Sequence, residues 1–137
     1  MVTKIEHIGI AVKSIDASKD LYTLLLNTAP YKEECVEAEK VRTLFFKTGE
    51  SKIELLESTS LDGPIAAFVE KKGEGIHHIA FKVDNIYDAM KTLTEKGFRL
   101  TSPEPRPGAD NKLVCFIHPK STNGVLIELC QEMPGLE

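Results

Sequence analysis

Ile5-Glu6-His7-Ile8-Gly9-Ile10-Ala11-Val12 returns as Ile76-His77-His78-Ile79-Ala80-Phe81-Lys82-Val83, displaced by 71 residues. Self-similarity at a fixed displacement marks a duplicated supersecondary unit. Ile15 and Ile86 keep the same displacement, whereas Lys52-Ile53-Glu54-Leu55-Leu56 returns as Leu126-Ile127-Glu128-Leu129-Cys130, displaced by 74. The second copy therefore carries about three more residues, which belong in its loops. Each copy opens on a strand that bears histidine and closes on a strand that bears glutamate.

Between these strands, apolar periodicity separates helix from strand. Ala17, Leu21, Leu24 and Leu25 recur at i, i+4, i+7 and i+8, which predicts a helix with one apolar stripe and Asp16 as its N-cap. Ile86, Ala89, Met90 and Leu93 predict its counterpart, opening at Asp84 or Asn85 and stopping at Gly97. Segments near 30–37, 41–48 and 51–57 read as strands in the first copy, and those near 98–102, 112–118 and 124–131 in the second. Each copy is then β-α-β-β-β. Between them Pro64, Ile65, Phe68 and Val69, closed by Gly73 and Gly75, predict one short connecting helix. Ser102-Pro103-Glu104-Pro105-Arg106-Pro107-Gly108 reads as a loop. The resulting expectation is an α+β fold over residues 1–137 as a single domain. Its modules lie at about 4–58 and 75–132, with the connecting helix at about 62–73.

Composition narrows the function classes. The chain has 137 residues, 42% of them hydrophobic and 28% charged, with a net charge of -4. No apolar run approaches the roughly 20 residues that span a bilayer, and an acidic balance does not recommend nucleic acid as a partner. The first residues show no basic stretch followed by an apolar one, so a cytoplasmic location is expected. Cys35, Cys115 and Cys130 are odd in number and irregularly spaced, as expected of reduced structural thiols.

The chemistry is expected at four positions. Strand side chains alternate between faces, so His7 shares a face with Gly9 and Ala11, while Ile8, Ile10 and Val12 can pack on a helix. His78 likewise shares a face with Ala80, opposite Ile79, Phe81 and Val83. Histidine beside small residues, twice, leaves room for a ligand to approach. His77 falls on the other face, where the first copy has Glu6. Glu54 and Glu128 stand in equivalent registers with apolar neighbours on both sides. If the copies pack about a pseudo-twofold axis, the four side chains form an N2O2 set. That set suits a divalent ion such as Co, Ni, Mn, Fe or Zn, with positions open to water or substrate. His118, before Pro119, has no counterpart and reads as structural or as a substrate contact.

These residues resemble the vicinal oxygen chelate (glyoxalase) superfamily, and within it the methylmalonyl-CoA epimerases. The likeness runs from Ile5 to about Gln131. It is carried by Pro64-Ile65-Ala66-Ala67-Phe68 leading to Gly75-Ile76-His77-His78-Ile79-Ala80, by Val83-Asp84-Asn85-Ile86, and by His118-Pro119-Lys120-Ser121 running to Gly124-Val125-Leu126-Ile127-Glu128-Leu129. The resemblance implies paired modules in a cupped mixed sheet and a metal held by His7, Glu54, His78 and Glu128. It also implies a homodimer and a CoA thioester as substrate. The implied reaction inverts C2 of methylmalonyl-CoA by proton abstraction through an enolate that a divalent ion stabilises, with Glu128 as base and Glu54, a water or an unassigned residue as the second group. Two positions depart from the family. Many epimerases have glutamine in place of Glu54, and Thr43 occupies a place where some carry a glutamate proposed as an acid/base group. Lactoylglutathione lyase, another enzyme of the superfamily or a metal-free binding module are the alternatives.

Overall fold

The computed structural model describes residues 1–133 of the chain. Among them lie eight strands and three helices: β1 (Val2–Ala11), α1 (Ile15–Leu26), β2 (Lys32–Val36), β3 (Val41–Thr48), β4 (Ser51–Ser58), α2 (Pro64–Lys72), β5 (Gly75–Val83), α3 (Ile86–Glu95), β6 (Arg106–Gly108), β7 (Lys112–Ile117) and β8 (Ile127–Glu132). The order is β-α-β-β-β, a connecting helix, and β-α-β-β-β again. The chain divides into two compact units, His7–His77 and a second made of Met1–Glu6 with the residues from His78 onward.

In the first unit the strand order is β2-β3-β4-β1, with β1 parallel to β4 and the other pairs antiparallel. One face is packed by α1: Val12, Ile15, Leu44, Phe46 and Leu55 form its core, with Ile10, Tyr22, Leu26 and Ile53 against it. The other face is covered in part by α2, where Ala11, Val41, Leu56 and Ile65 pack with Phe68 and Val69. Pro64 stands at the start of α2 and Gly73 closes it at φ 80°, as the sequence predicts.

The stripe predicted for α1 is corrected. Leu21, Leu24 and Leu25 are 61%, 82% and 69% exposed, while Ile15 is fully buried. The Ile15 N–H donates to the Glu57 carboxylate at 2.6 Å, which fixes the helix rotation with Ile15 toward the sheet. At about 100° per residue, Tyr22 and Leu26 then fall beside Ile15, and Leu24 lies opposite. The N-cap is Ser14, whose hydroxyl accepts from the Ala17 N–H, rather than Asp16; Asn27 closes the helix in the left-handed region at φ 53°.

In the second unit the order is β5-β8-β7-β6, with β5 parallel to β8. α3 packs on one face, where Val83, Ile86, Ala89, Met90, Cys115, Ile117 and Leu129 form the core. Asn85 caps this helix by accepting from the Asp88 N–H, and Gly97 follows its end at φ 94°. The strand predicted near 98–102 is not formed. Only Leu100 bridges to Ile117, and the chain turns away at Ser102. The edge strand is Arg106–Gly108 instead, inside the stretch read as a loop. Proline cannot donate to a ladder and is tolerated there because an edge strand needs bonds on one side only.

Candidate functional site

Register places each predicted side chain. In the first unit His7 lies two residues before Gly9, Gly9 is the partner of Glu54 across β1 and β4, and Glu54 is the partner of Phe45 on β3. In the second unit His78 lies two residues before Ala80, Ala80 is the partner of Glu128, and Glu128 is the partner of Phe116 on β7. Partners across a ladder share a face. Each unit thus presents histidine, a small residue, glutamate and phenylalanine together, on the face opposite α1 or α3. The phenylalanines were not singled out in the sequence, although Phe45 and Phe116 also stand 71 residues apart. The three extra residues are located too. Six residues, 47–52, join the Phe46 and Ile53 partners, against nine, 118–126, between Ile117 and Ile127.

The two units each hold a buried imidazole–carboxylate pair. His7 Nε2 lies 3.9 Å from Glu54 Oε2, with both side chains no more than 7% exposed. His78 Nε2 lies 3.2 Å from Glu128 Oε1, with both no more than 8% exposed. The Phe116 ring meets the His78 ring edge to face at 6.0 Å between centroids, which restrains the imidazole plane. A buried carboxylate is costly without a cation or donors facing it. Each pair has the composition that a borderline divalent ion prefers, one imidazole nitrogen and one carboxylate oxygen. With ligand bonds near 2.1 Å, two ligands of one ion stand about 3 Å apart at a right angle and about 4 Å apart when opposed. The pairs at 3.2 and 3.9 Å fall in that range, so the residues fit a metal ion.

Other residues singled out in the sequence have local roles. His118 Nδ1 accepts from the Lys120 N–H at 3.1 Å and caps the turn Pro119–Ser121. His77 packs edge to face on Phe68 of α2 at 5.1 Å. Thr43 is buried on the face that carries Glu54, and its hydroxyl donates to the Glu34 carbonyl at 3.0 Å. Cys35, Cys115 and Cys130 are free thiols, the first exposed and the others buried. Burial, and next the charge of Glu128, push Cys115 up to about 11.

Comparison with known proteins places this geometry. Residues 6–116 match the model of the glyoxalase/bleomycin resistance protein/dioxygenase superfamily. The chain is 41% identical over 130 residues to the mitochondrial methylmalonyl-CoA epimerase of Dictyostelium discoideum, covering 93% of this chain and 78% of that protein. It is 38% identical over 133 residues to the ethylmalonyl-CoA/methylmalonyl-CoA epimerase of Cereibacter sphaeroides, covering 96% and 99%. A crystallised variant of Streptomyces coelicolor methylmalonyl-CoA epimerase, in complex with 2-nitronate-propionyl-CoA, superposes with a TM-score of 0.92 at 33% identity over 98% of this chain and all of that one.

Proposed function

The chain belongs to the glyoxalase/bleomycin resistance protein/dioxygenase superfamily, and from that membership we propose that it is an epimerase that interconverts (R)- and (S)-methylmalonyl-CoA. The observation that carries this reading is the buried histidine–glutamate pair found at the same register in both units, His7 with Glu54 and His78 with Glu128. It is joined by the names of relatives at 38–41% identity, which are epimerases of this thioester.

The four side chains His7, Glu54, His78 and Glu128 would together hold one divalent ion, of Co, Mn, Ni, Zn or Fe type. When bound, such an ion supplies positive charge at the thioester and carboxylate oxygens of the substrate. C2 of methylmalonyl-CoA lies between a thioester and a carboxylate, and its proton is removed only if the electron pair left behind can spread onto the thioester oxygen. Glu128 takes that proton at a carboxylate oxygen. Burial beside Ala80 and Phe116 limits its contact with water. Reprotonation from the opposite face inverts the centre, and we assign it to Glu54 in its carboxylic acid form, at the same register of the other unit; turnover leaves the proton on Glu128 and Glu54 as the carboxylate, the state that runs the reverse reaction. Thr43, with a neutral hydroxyl engaged by a backbone carbonyl, takes no part in proton transfer. No helix among the described residues is long and apolar enough to cross a membrane. From the superfamily likeness we propose a homodimer, and from the sequence reading a cytoplasmic location.

The test is incubation of one stereoisomer in deuterated water with cobalt or with EDTA, followed by mass spectrometry and stereoisomer analysis. The expected outcome is C2 deuterium with inversion, in the cobalt sample only. Absence of exchange above the uncatalysed background, with metal bound, would discard the substrate.

A further inference from the structure

We propose that a groove between α3 and residues 98–105 binds the nucleotide end of the CoA thioester, with the adenine against Tyr87 and Phe98 and the phosphates at Lys91 and Arg99. The proposal rests on the methylmalonyl-CoA reading above and adds to it the residues that recognise the CoA handle. The groove has a volume of about 660 Å³ and is lined from α3 by Tyr87, Met90 and Lys91 and from the following segment by Phe98, Arg99 and Glu104, among others. That volume lies within the roughly 300–1,000 Å³ of small-molecule sites.

The lining has the chemistry such a ligand needs. The nucleotide end of CoA carries a purine and three phosphate groups, and a protein of net charge -4 offers no general attraction to it. Local cations are required. Among the described residues no carboxylate forms an ion pair with Lys91 or Arg99, whereas Arg42 is engaged by Glu33 and Asp16, and Lys40 by Asp62. Tyr87 is 56% exposed, an aromatic ring that the protein's own core does not use. A purine stacked on such a ring removes apolar surface from water on both partners.

The distance to the reacting centre also fits. The Thr101 N–H donates to the Phe116 carbonyl at 2.9 Å and the His118 N–H to the Arg99 carbonyl at 2.7 Å, so residues 99–101 run alongside β7. Phe116 is the register partner of Glu128. Two inter-strand spacings, about 10 Å, therefore separate the backbone at Glu128 from the segment that forms one wall of the groove. The pantetheine arm has the length of an extended chain of about five residues, about 17 Å. Crossing to the α3 face adds about 10 Å, so the arm brings the phosphates to Arg99 at the sheet edge, and the adenosine beyond them turns into the groove beside α3. Arg99 is held for this role at both backbone groups, since its N–H donates to Ser121 Oγ at 2.9 Å.

The test compares methylmalonyl-CoA with methylmalonyl-pantetheine, which lacks the nucleotide, in the wild type and in the charge-reversed variant Lys91→Glu/Arg99→Glu. All the substituted side chains are exposed, and a second variant, Tyr87→Ala, leaves the charges in place. The ratio of kcat/KM for the CoA substrate to that for the truncated one should fall about tenfold or more in the charge variant, and by less in Tyr87→Ala. A ratio equal to that of the wild type in both variants overturns the proposal. Should the wild type turn over neither substrate, the epimerase reading fails, and titration with adenosine 3′,5′-bisphosphate decides the groove separately. Binding that the charge variant weakens supports it, and no binding, or equal binding by both proteins, refutes it.

Discussion

Replacing Glu128 by glutamine separates the base from the ligand set. The change keeps the volume of a side chain packed between Ala80 and Phe116 and removes one negative charge. In metal-free protein the glutamine oxygen can still accept from His78 Nε2, which lies 3.2 Å from the native carboxylate. The folding loss is then about 1–2 kcal/mol, the difference between a charge-assisted hydrogen bond and a neutral one. Catalysis should suffer more. A positioned general base contributes about 10²–10⁴-fold, or roughly 2.7–5.4 kcal/mol of barrier, and an amide cannot serve as one. The assay is C2 deuterium incorporation into methylmalonyl-CoA at 25 °C, with metal content measured on the same sample and cobalt added back if the variant has lost it. Exchange within about threefold of the wild type, at equal metal content, would refute the assignment of Glu128. A fall of about 10² or more in a folded, metal-replete variant is the expected result.

Thr43→Val removes a hydroxyl that donates to the Glu34 carbonyl; it should cost about 1 kcal/mol in denaturant unfolding and leave kcat within about twofold, since Thr43 has no role as a base. Asn85→Ala deletes the cap on the Asp88 N–H of α3, with an expected loss of about 1 kcal/mol and a Tm lower by about 3–4 °C in calorimetry. At pH 8 a disulfide reagent should modify one thiol per native chain, the exposed Cys35, and three in denaturant, because Cys115 and Cys130 are buried and burial holds Cys115 up at about 11. Rapid reaction of two or three native thiols would contradict that burial.

The duplication was legible because strand register is discrete. A histidine two positions before a small residue, and a glutamate whose register partner is that same small residue, must share a face, and Gly9 with Glu54 and Ala80 with Glu128 obey this in both units. Helix rotation is not discrete, and there the sequence was ambiguous. Leu24-Leu25-Leu26 places leucine on three sides of α1, so a stripe through Leu21, Leu24 and Leu25 reads as well as one through Ile15, Tyr22 and Leu26. The choice is made by a contact 42 residues away in the chain, the Glu57 carboxylate on the Ile15 N–H, which no local period contains. The edge strand was misplaced for a related reason. Phe98-Arg99-Leu100-Thr101 has the composition of a strand, but β7 offers it only the stretch near Ile117, because Arg106–Gly108 takes the pairing at Lys112–Val114. The displacement of that strand has a functional consequence. Only Leu100 is held in a bridge to β7 and the chain turns away from Ser102 on, so that residues 98–105 form a wall of the groove beside α3 where a full strand was predicted.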